Sequence, residues 1–332
     1  MILNRKSLSE ALEAIRGANS FLIAGHVNPD GDTLGCVLAL EWALRALGKD
    51  VTSISIDGVP ETLQFLPGQE RVQITTDKSE FDLAILCDLE GLNRVGRNSD
   101  VVLKANRILV IDHHVPWEQF GDMRLIDTDA SATTMVVYEL LRAMKAAITP
   151  EIASSLLTGI ITDTGSFKYQ NTTPKALQIS SHLVDSGADI VKINEEVFEN
   201  RSMASMKLLG IGLTNLRSIR DGEIIWSTLS LEDFNKAGAS DEQSEGIIAH
   251  MRSIRGAKMV ALLREIKENR VRVSLRAREP YSVSEIAQRF EGGGHRLAAG
   301  CSLQASLVES ERIILEAIEQ WMDSLTSTKT PV

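Results

Sequence analysis

The sequence predicts a two-part protein of the α/β class: an N-terminal unit built on a parallel sheet with helices on both faces, then a smaller α+β unit. Three observations predict it. At 332 residues the chain exceeds what one small domain ordinarily holds. Its first half alternates short apolar runs with stretches of helical periodicity, the pattern of βαβ units and a mostly parallel sheet. Its later part changes order, with strand-like runs gathered together and closed by helices.

The opening, "MILNRKSLSEALEAIRGANS", lacks the apolar core and cleavage site of a secretory signal and reads as a first helix. "NSFLIAGH" (19–26) is a buried strand by length, and "TLGCVLALEWALRALGK" after it places Leu34, Val37, Leu38, Leu44 and Leu47 at helical spacing. "KDVTSISID", "EFDLAILCD" and "NRILVIDHH" are further strands, the last two ending abruptly in acid or imidazole. "SATTMVVYELLRAMKAA" and "PEIASSLLTGIITDTG" are helical, with Pro150 suited to a first turn. From about 175 to 215 the pattern is helical and polar, giving the last helices of the first unit and a helical linker. "GEIIWSTLS", "AKMVALLREI" and "NRVRVSLRAR" are strands of the second unit, followed by helices at 282–290 and 306–325 and a frayed tail, "STKTPV".

Composition narrows the function. Apolar content of 43% describes an ordinary globular core, and no apolar run approaches the roughly 20 residues that cross a bilayer. Three widely spaced cysteines, Cys36, Cys87 and Cys301, argue against a disulfide framework and suit a reducing cytoplasm. A net charge of −10 disfavours a protein that coats long nucleic acid. Residues 251–300, however, carry eleven Arg and Lys against five Asp and Glu, a local +6 that leaves −16 elsewhere. That segment is the expected seat of a phosphate-bearing ligand.

The chemistry lies at the strand ends, where α/β sheets bind ligands. "GHVNPDGD" supplies His26, Asp30 and Asp32, "AILCDLE" ends at Asp88, "LVIDHH" ends at Asp112, His113 and His114, and "GIITDTGSF" supplies Asp163. Four carboxylates crowded together cannot all stay ionised, because like charges raise one another's pKa. Two divalent cations remove that conflict, and imidazoles among the carboxylates favour Mn²⁺ over Mg²⁺. Cations roughly 3.5–4 Å apart activate a water and clamp the oxygens of an in-line phosphoryl displacement.

Each piece alone has a plainer reading. "DHH" suits a solvated strand end, "NPDGD" is a good turn, Asp163 could cap a helix, and Asp88 could be a loop acid. "DTGS" resembles the aspartic-protease signature, but that fold is all-β, whereas here it follows a helix. Four such accidents in succession are improbable.

"HVNPDGDTLG", "CDLE", "IDHH" and "TDTGSF", in this order, resemble the motifs of the DHH phosphoesterase superfamily. "GGGHRLAAG" (292–300), with "EGIIAHMRSIRGAKMVALLRE" and "VRVSLRAR", resembles the C-terminal domain of its small two-domain members, the NrnA-type oligoribonucleases and phosphoadenosine phosphate phosphatases, with related cyclic-dinucleotide phosphodiesterases. The resemblance implies a DHH catalytic unit over 1–190, a linker over 191–212 and a DHH-associated substrate-binding unit over 213–332. It implies one metal on His26, Asp30 and Asp88 and another on Asp32, Asp88, His113 and Asp163, with Asp88 shared. Asp112 would orient an imidazole, and His114 would face the scissile phosphate. Cys36 stands where many relatives have a small residue such as Ser, and Cys87 should point away from Asp88 along its strand.

In the second unit, Gly292, Gly293 and Gly294 let backbone amides approach an anion, and His295 adds a donor. Strand alternation puts Arg272, Ser274, Arg276 and Arg278 on one face, which reads either as solvated surface or, beside such a loop, as a substrate grip through Ser274, Arg276 and Arg278. Arg252 and Arg255 are weaker candidates.

The expectation is therefore a cytoplasmic hydrolase with two divalent metal ions, Mn²⁺ first with Mg²⁺ and Co²⁺ as alternatives, acting on RNA or DNA of roughly two to five nucleotides and on small nucleotides such as 3′-phosphoadenosine 5′-phosphate or linear and cyclic dinucleotides. Membranes and long nucleic acid are not expected as partners, and the resemblance allows a homodimer. The rivals are a RecJ-like single-strand exonuclease, a family II inorganic pyrophosphatase, and a nucleotide-binding sensor without catalysis.

Overall fold

The computed structural model describes residues 4–115, 119–244 and 246–327, and it divides into two compact units between Asn200 and Arg201. The tail 328–332, expected to fray, lies outside the described residues. In the first unit the chain runs α1 (Arg5–Gly17), β1 (Ser20–Ala24), α2 (Gly31–Ala46), β2 (Asp50–Ile54), β3 (Leu83–Cys87), α3 (Ser99–Val102), β4 (Ile108–Asp112), β5 (Met123–Ile126), α4 (Thr133–Ala143), α5 (Pro150–Thr164), α6 (Pro174–Asp185) and α7 (Ile190–Asn194). The sheet order is β2-β1-β3-β4-β5, every neighbouring pair parallel. The predicted fold class is the one observed.

The strand period of two explains both layers. From β1, Phe21 and Ile23 point into a core shared with Ile15 of α1, Val37 and Leu40 of α2, Val136 and Leu140 of α4, and Leu156 and Ile160 of α5. Leu22 and Ala24 point the other way, onto Leu86, Val95 and Val102, so that face is covered by short helical turns over 92–102. Cys36 and Cys87 lie buried in the first of these cores.

Local chemistry sets where the helices begin. Asp30 caps α2, its Oδ1 accepting from the amides of Asp32 and Thr33 at 3.0 Å each, so the helix starts before the apolar periodicity does. Thr149 caps α5 ahead of Pro150, as the proline position implied.

The second unit contains α8 (Met203–Thr214), β6 (Arg217–Ile219), β7 (Ile224–Leu229), α9 (Leu231–Ala237), α10 (Ile247–Arg252), β8 (Met259–Lys267), β9 (Arg270–Ala277), α11 (Ser284–Gln288), β10 (Gly293–His295), β11 (Ala298–Leu303) and α12 (Leu307–Ser327). Its mixed sheet runs β10-β11-β9-β8-β7-β6, with only the β7–β8 pair parallel. One face packs on α11 and α12 through Leu263, Val273 and Leu275, and β7 and β8 pack on α8, α9 and α10 through Ile225, Val260 and Leu262. The stretch read as a linker divides: Ile193 of α7 belongs to the first unit's core, and Leu208 of α8 to the second's.

Candidate metal centre

Strand order decides where the ligands gather. After β1 the chain crosses to β2 on one side, and after β2 it returns to β3 on the other, so the carboxyl ends of β1 and β3 flank a topological switch point. His26 lies two residues past β1 and Asp88 one past β3, while Asp112 ends β4 with His113 and His114 directly after. Asp30 and Asp32 sit at the start of α2, and Asp163 sits in the last turn of α5, which packs against α2. The structure brings all of these together.

Three overlapping groups emerge, each with its ligand atoms within 4.8 Å of one another: His26, Asp30 and Asp88; Asp32, His113 and Asp163; and Asp88, His113 and His114. His26 Nε2 stands 3.4 Å from Asp88 Oδ2 and 4.0 Å from Asp30 Oδ2. His113 Nε2 stands 3.3 Å from Asp163 Oδ2 and 3.9 Å from Asp88 Oδ1. Asp88 and His113 are each common to two of the groups.

Surrounding groups aim these side chains. His26 Nδ1 donates to the carbonyl of Val27 at 2.8 Å, and His113 Nδ1 donates to that of Ala130 at 3.1 Å. A backbone carbonyl only accepts, so Nδ1 carries a proton in both rings and Nε2 is the nitrogen turned toward the carboxylates, the orientation of metal-ligating histidines. Asp88 adopts a left-handed backbone, φ 62°, and its oxygens accept from the hydroxyls of Thr33 at 2.7 Å and Thr133 at 2.9 Å. Buried Asp32 accepts from the amides of Thr133 and Thr134, at 2.6 and 2.9 Å, and from the Thr134 hydroxyl at 2.7 Å. Gly159 of α5 makes room for it, since a β-carbon there would lie 2.6 Å from Asp32 Oδ1. Asp112 Oδ1 gathers the amides of His113 and His114, at 2.7 and 3.1 Å, and His114 Nδ1 at 2.8 Å. Its buried Oδ2 has no hydrogen-bond partner among the described residues.

The electrostatics are those of a site built for cations. Burial, and then the charge of Asp88, push Asp32 up to about 7. Burial raises Asp163 well above the usual carboxylate range, with Asp32, Asp30 and Asp88 adding repulsion. Its seat at the C-terminal end of α5 places that charge against the helix dipole as well. Burial opposes ionisation of Asp88 too, but the hydrogen bond from His26 and the neighbouring imidazoles outweigh it and hold the carboxyl well below its usual range. For His114, burial disfavours the charged ring, yet the bond to Asp112 and the charge of Asp88 raise it to about 9. Four crowded carboxylates, two of them resisting ionisation, with aimed imidazole Nε2 atoms and an unsatisfied Asp112 oxygen, fit divalent cations.

In the second unit, register aligns several of the residues singled out in the sequence. Ser274 of β9 lies opposite Gly300 of β11, which lies opposite Gly293 of β10. Arg276, Ala298 and His295 form the next row. Gly292 precedes β10, where a β-carbon would run into the Gly300 carbonyl, and Gly294 has φ 125°. The side chain of His295 lies outside the described residues. Arg278 falls past the end of β9, its Nη2 donating to the Arg252 carbonyl at 2.7 Å, and Arg276 Nη1 donates to the carbonyl of Leu275 at 2.9 Å. Ser274 accepts from Arg264 Nη2 at 3.1 Å.

Sequence reasoning missed the positioning threonines Thr33, Thr133 and Thr134, because threonine at a helix start ordinarily signals no more than a cap. It also missed Asn171, whose Nδ2 donates to the carbonyls of Asp163 and Ser131 at 3.1 Å each, and Arg264, the residue that holds Ser274.

Fold and donor set together define a metal-binding hydrolase of the α/β class. Residues 20–160 match the model of the DHH family, N-terminal domain, and residues 221–324 match that of the DHHA1 domain. The chain belongs to the DHH family, among its NrnA-type members. It is 33% identical to a bifunctional oligoribonuclease and PAP phosphatase NrnA of Thermus thermophilus, with 94% of this chain and 93% of that protein covered. The Bacillus subtilis protein of the same name is 27% identical over 93% of this chain and 96% of its own. The crystal structure of an exopolyphosphatase-related protein from Bacteroides fragilis superimposes with a TM-score of 0.90 at 27% identity, covering 98% of this chain and 99% of that one. Among the described residues no helix is long and apolar enough to cross a membrane.

Proposed function

We propose that this chain is a manganese-dependent phosphoesterase that cleaves very short oligonucleotides and small nucleotides such as 3′-phosphoadenosine 5′-phosphate. The observation that carries the reading is the convergence of His26, Asp30, Asp32, Asp88, His113 and Asp163 within overlapping groups of metal-ligand spacing at the sheet's switch point. The activities in the names of the Thermus and Bacillus relatives support the substrate class.

In this reading His26, Asp30 and Asp88 hold one cation, and Asp32, His113 and Asp163 hold a second that shares Asp88. Bound there, the two ions would offset the four aspartates, make a coordinated water more acidic and draw charge from the phosphate oxygens. The chain's own residues do the rest. Asp112 takes the Nδ1 proton of His114 in a hydrogen bond, which leaves Nε2 as the nitrogen that gives a proton to the departing oxygen as the P–O bond breaks. Thr33 and Thr133 keep Asp88 from turning away. Gly292, Gly293, Gly294, His295, Ser274, Arg276 and Arg278 are the substrate-binding residues of the second unit.

The test offers labelled dinucleotide, phosphoadenosine phosphate, a long single strand and pyrophosphate to the purified protein, with Mn²⁺, with Mg²⁺ and with chelator. Turnover of the first two alone, maximal with Mn²⁺ and abolished by chelator, is expected. Preference for the long strand would favour a RecJ-like exonuclease, preference for pyrophosphate the pyrophosphatase, and binding without turnover a sensor.

A further inference from the structure

Of the side chains assigned to the second cation, three hang from one short segment, the junction of β5 and α4. There the Ala130 carbonyl accepts from His113 Nδ1 at 3.1 Å, and the Thr133 hydroxyl donates to Asp88 at 2.9 Å. The amides of Thr133 and Thr134 and the Thr134 hydroxyl hold Asp32, at 2.6, 2.9 and 2.7 Å. Asp163 is the exception. Among the described residues no amide or hydroxyl donates to its carboxylate, yet its Oδ2 stands 3.3 Å from His113 Nε2. Its place must be fixed through its backbone.

The path of the chain after α5 makes that possible. Gly165, Ser166 and Phe167 have φ of 56°, 57° and 63°, so the chain leaves the helix through three left-handed residues, two of them not glycine. Such conformations persist where the surroundings over-determine them, most often at functional sites. The Phe167 amide, which a further helical turn would aim at the Asp163 carbonyl, donates instead to the Thr164 hydroxyl at 3.1 Å. The Asp163 carbonyl is thereby released from the helical ladder, and the Asn171 side chain takes it. The Asn171 amide carries two protons, and they go to two carbonyls, those of Asp163 and Ser131, at 3.1 Å each. Ser131 Oγ donates back to the Asn171 carbonyl at 2.5 Å, and Ser131 is buried beside Ala130 in the very segment that holds the other ligands. A helix cap would need only one proton of that amide. The second joins the capped helix end to the β5–α4 junction.

We propose that Asn171 is a positioning residue of the metal centre, a clasp that sets Asp163 in register with the ligands held by residues 130–134. Resting on the metal-centre reading above, it names what makes one cation seat rigid. A ligand set binds tightly only when its members are held close to the bound geometry beforehand, and groups behind the ligands commonly govern affinity ten- to hundredfold. Asn171 is itself exposed, so its replacement opens no cavity in the core.

The experiment titrates Mn²⁺ by calorimetry into wild type, Asn171→Ala, Asn171→Asp and Ser131→Ala, and into Asp163→Ala with and without Asn171→Ala. Loss of the two amide protons should weaken Mn²⁺ binding roughly ten- to hundredfold in both Asn171 variants, although the added carboxylate of Asn171→Asp would by itself attract a cation. Ser131→Ala keeps both Nδ2 bonds and should weaken binding less. On Asp163→Ala, whatever Mn²⁺ affinity remains should be the same with and without Asn171→Ala, because the clasp acts only through Asp163. Melting in chelator should differ little between wild type and the Asn171 variants. Unchanged Mn²⁺ affinity in the Asn171 variants overturns the proposal, as does tighter binding by Asn171→Asp. A further loss of affinity on Asp163→Ala, or a collapse of the melting temperature in chelator, also overturns it and marks Asn171 as a general support of the fold. Wild type that binds neither Mn²⁺, Mg²⁺ nor Co²⁺ overturns the metal-centre reading itself, and the clasp with it.

Discussion

The two units handle charge in opposite ways. In the second, two arginines of the sheet share a counter-charge within the fold: Asp241 accepts from Arg264 Nη1 at 2.9 Å and from Arg272 Nη1 at 2.7 Å, and Arg264 also reaches Ser244 and Ser274. In the first, five aspartates crowd around three histidines, and no Lys or Arg forms an ion pair with Asp30, Asp32, Asp88, Asp112 or Asp163 among the described residues. A satisfied network is a scaffold; an unsatisfied one is a request for a ligand. The metal centre is thus incomplete as a polypeptide, whereas the basic sheet is largely complete and should contribute binding rather than chemistry.

The sharpest way to break this contrast is Asp88→Ala, which removes one of the two side chains common to two ligand groups. Turnover of a dinucleotide should fall by more than about a thousandfold at saturating Mn²⁺. Activity within tenfold of wild type would contradict the assignment. Next, Asp112→Asn keeps the ligands but weakens the hold on His114, and kcat should drop about ten- to a hundredfold while Mn²⁺ affinity, read by titration calorimetry, changes little. A large loss of affinity would place Asp112 among the ligands.

Metal binding itself should stabilise only the crowded unit. At a Mn²⁺ concentration a hundredfold above Kd the gain is about 2.7 kcal/mol, and Tm of wild type should climb by roughly 5–10 °C. Asp88→Ala should show little of this climb. Smaller effects are expected in the second unit. Arg276→Ala should raise KM for a dinucleotide about tenfold with kcat unchanged. Asp241→Ala, breaking a partly solvated pair of salt bridges, should lower stability by only about 1 kcal/mol and leave Mn²⁺ binding untouched.

Much of the first unit was legible because its strands are short apolar runs that stop dead at Asp or His, and each such stop proved to be a strand end at the site. What escaped reading had weak local signals. β5 is only Met123–Ile126, with Arg124 inside it, and β10 and β11 are rich in Gly and Ala, which carry little strand preference and here derive their pairing from the register with β9. The arginine face of β9 was visible from alternation, but Asp241, which binds two arginines of that sheet, lies in a distant loop that no pattern connects to it.

The glycine at position 159 has a consequence for which ions the protein accepts. Asp32 and Asp163 ride on two helices, α2 and α5, and a methyl added at Gly159 of α5 would meet both the Thr134 side chain of α4, at 2.5 Å, and the Asp32 carboxylate, at 2.6 Å, so that α5 would have to shift. The bore of the cage is therefore governed by packing between helices as well as by the ligands. A lineage could retune its choice between a smaller and a larger cation by shimming that contact, leaving every coordinating side chain as it stands.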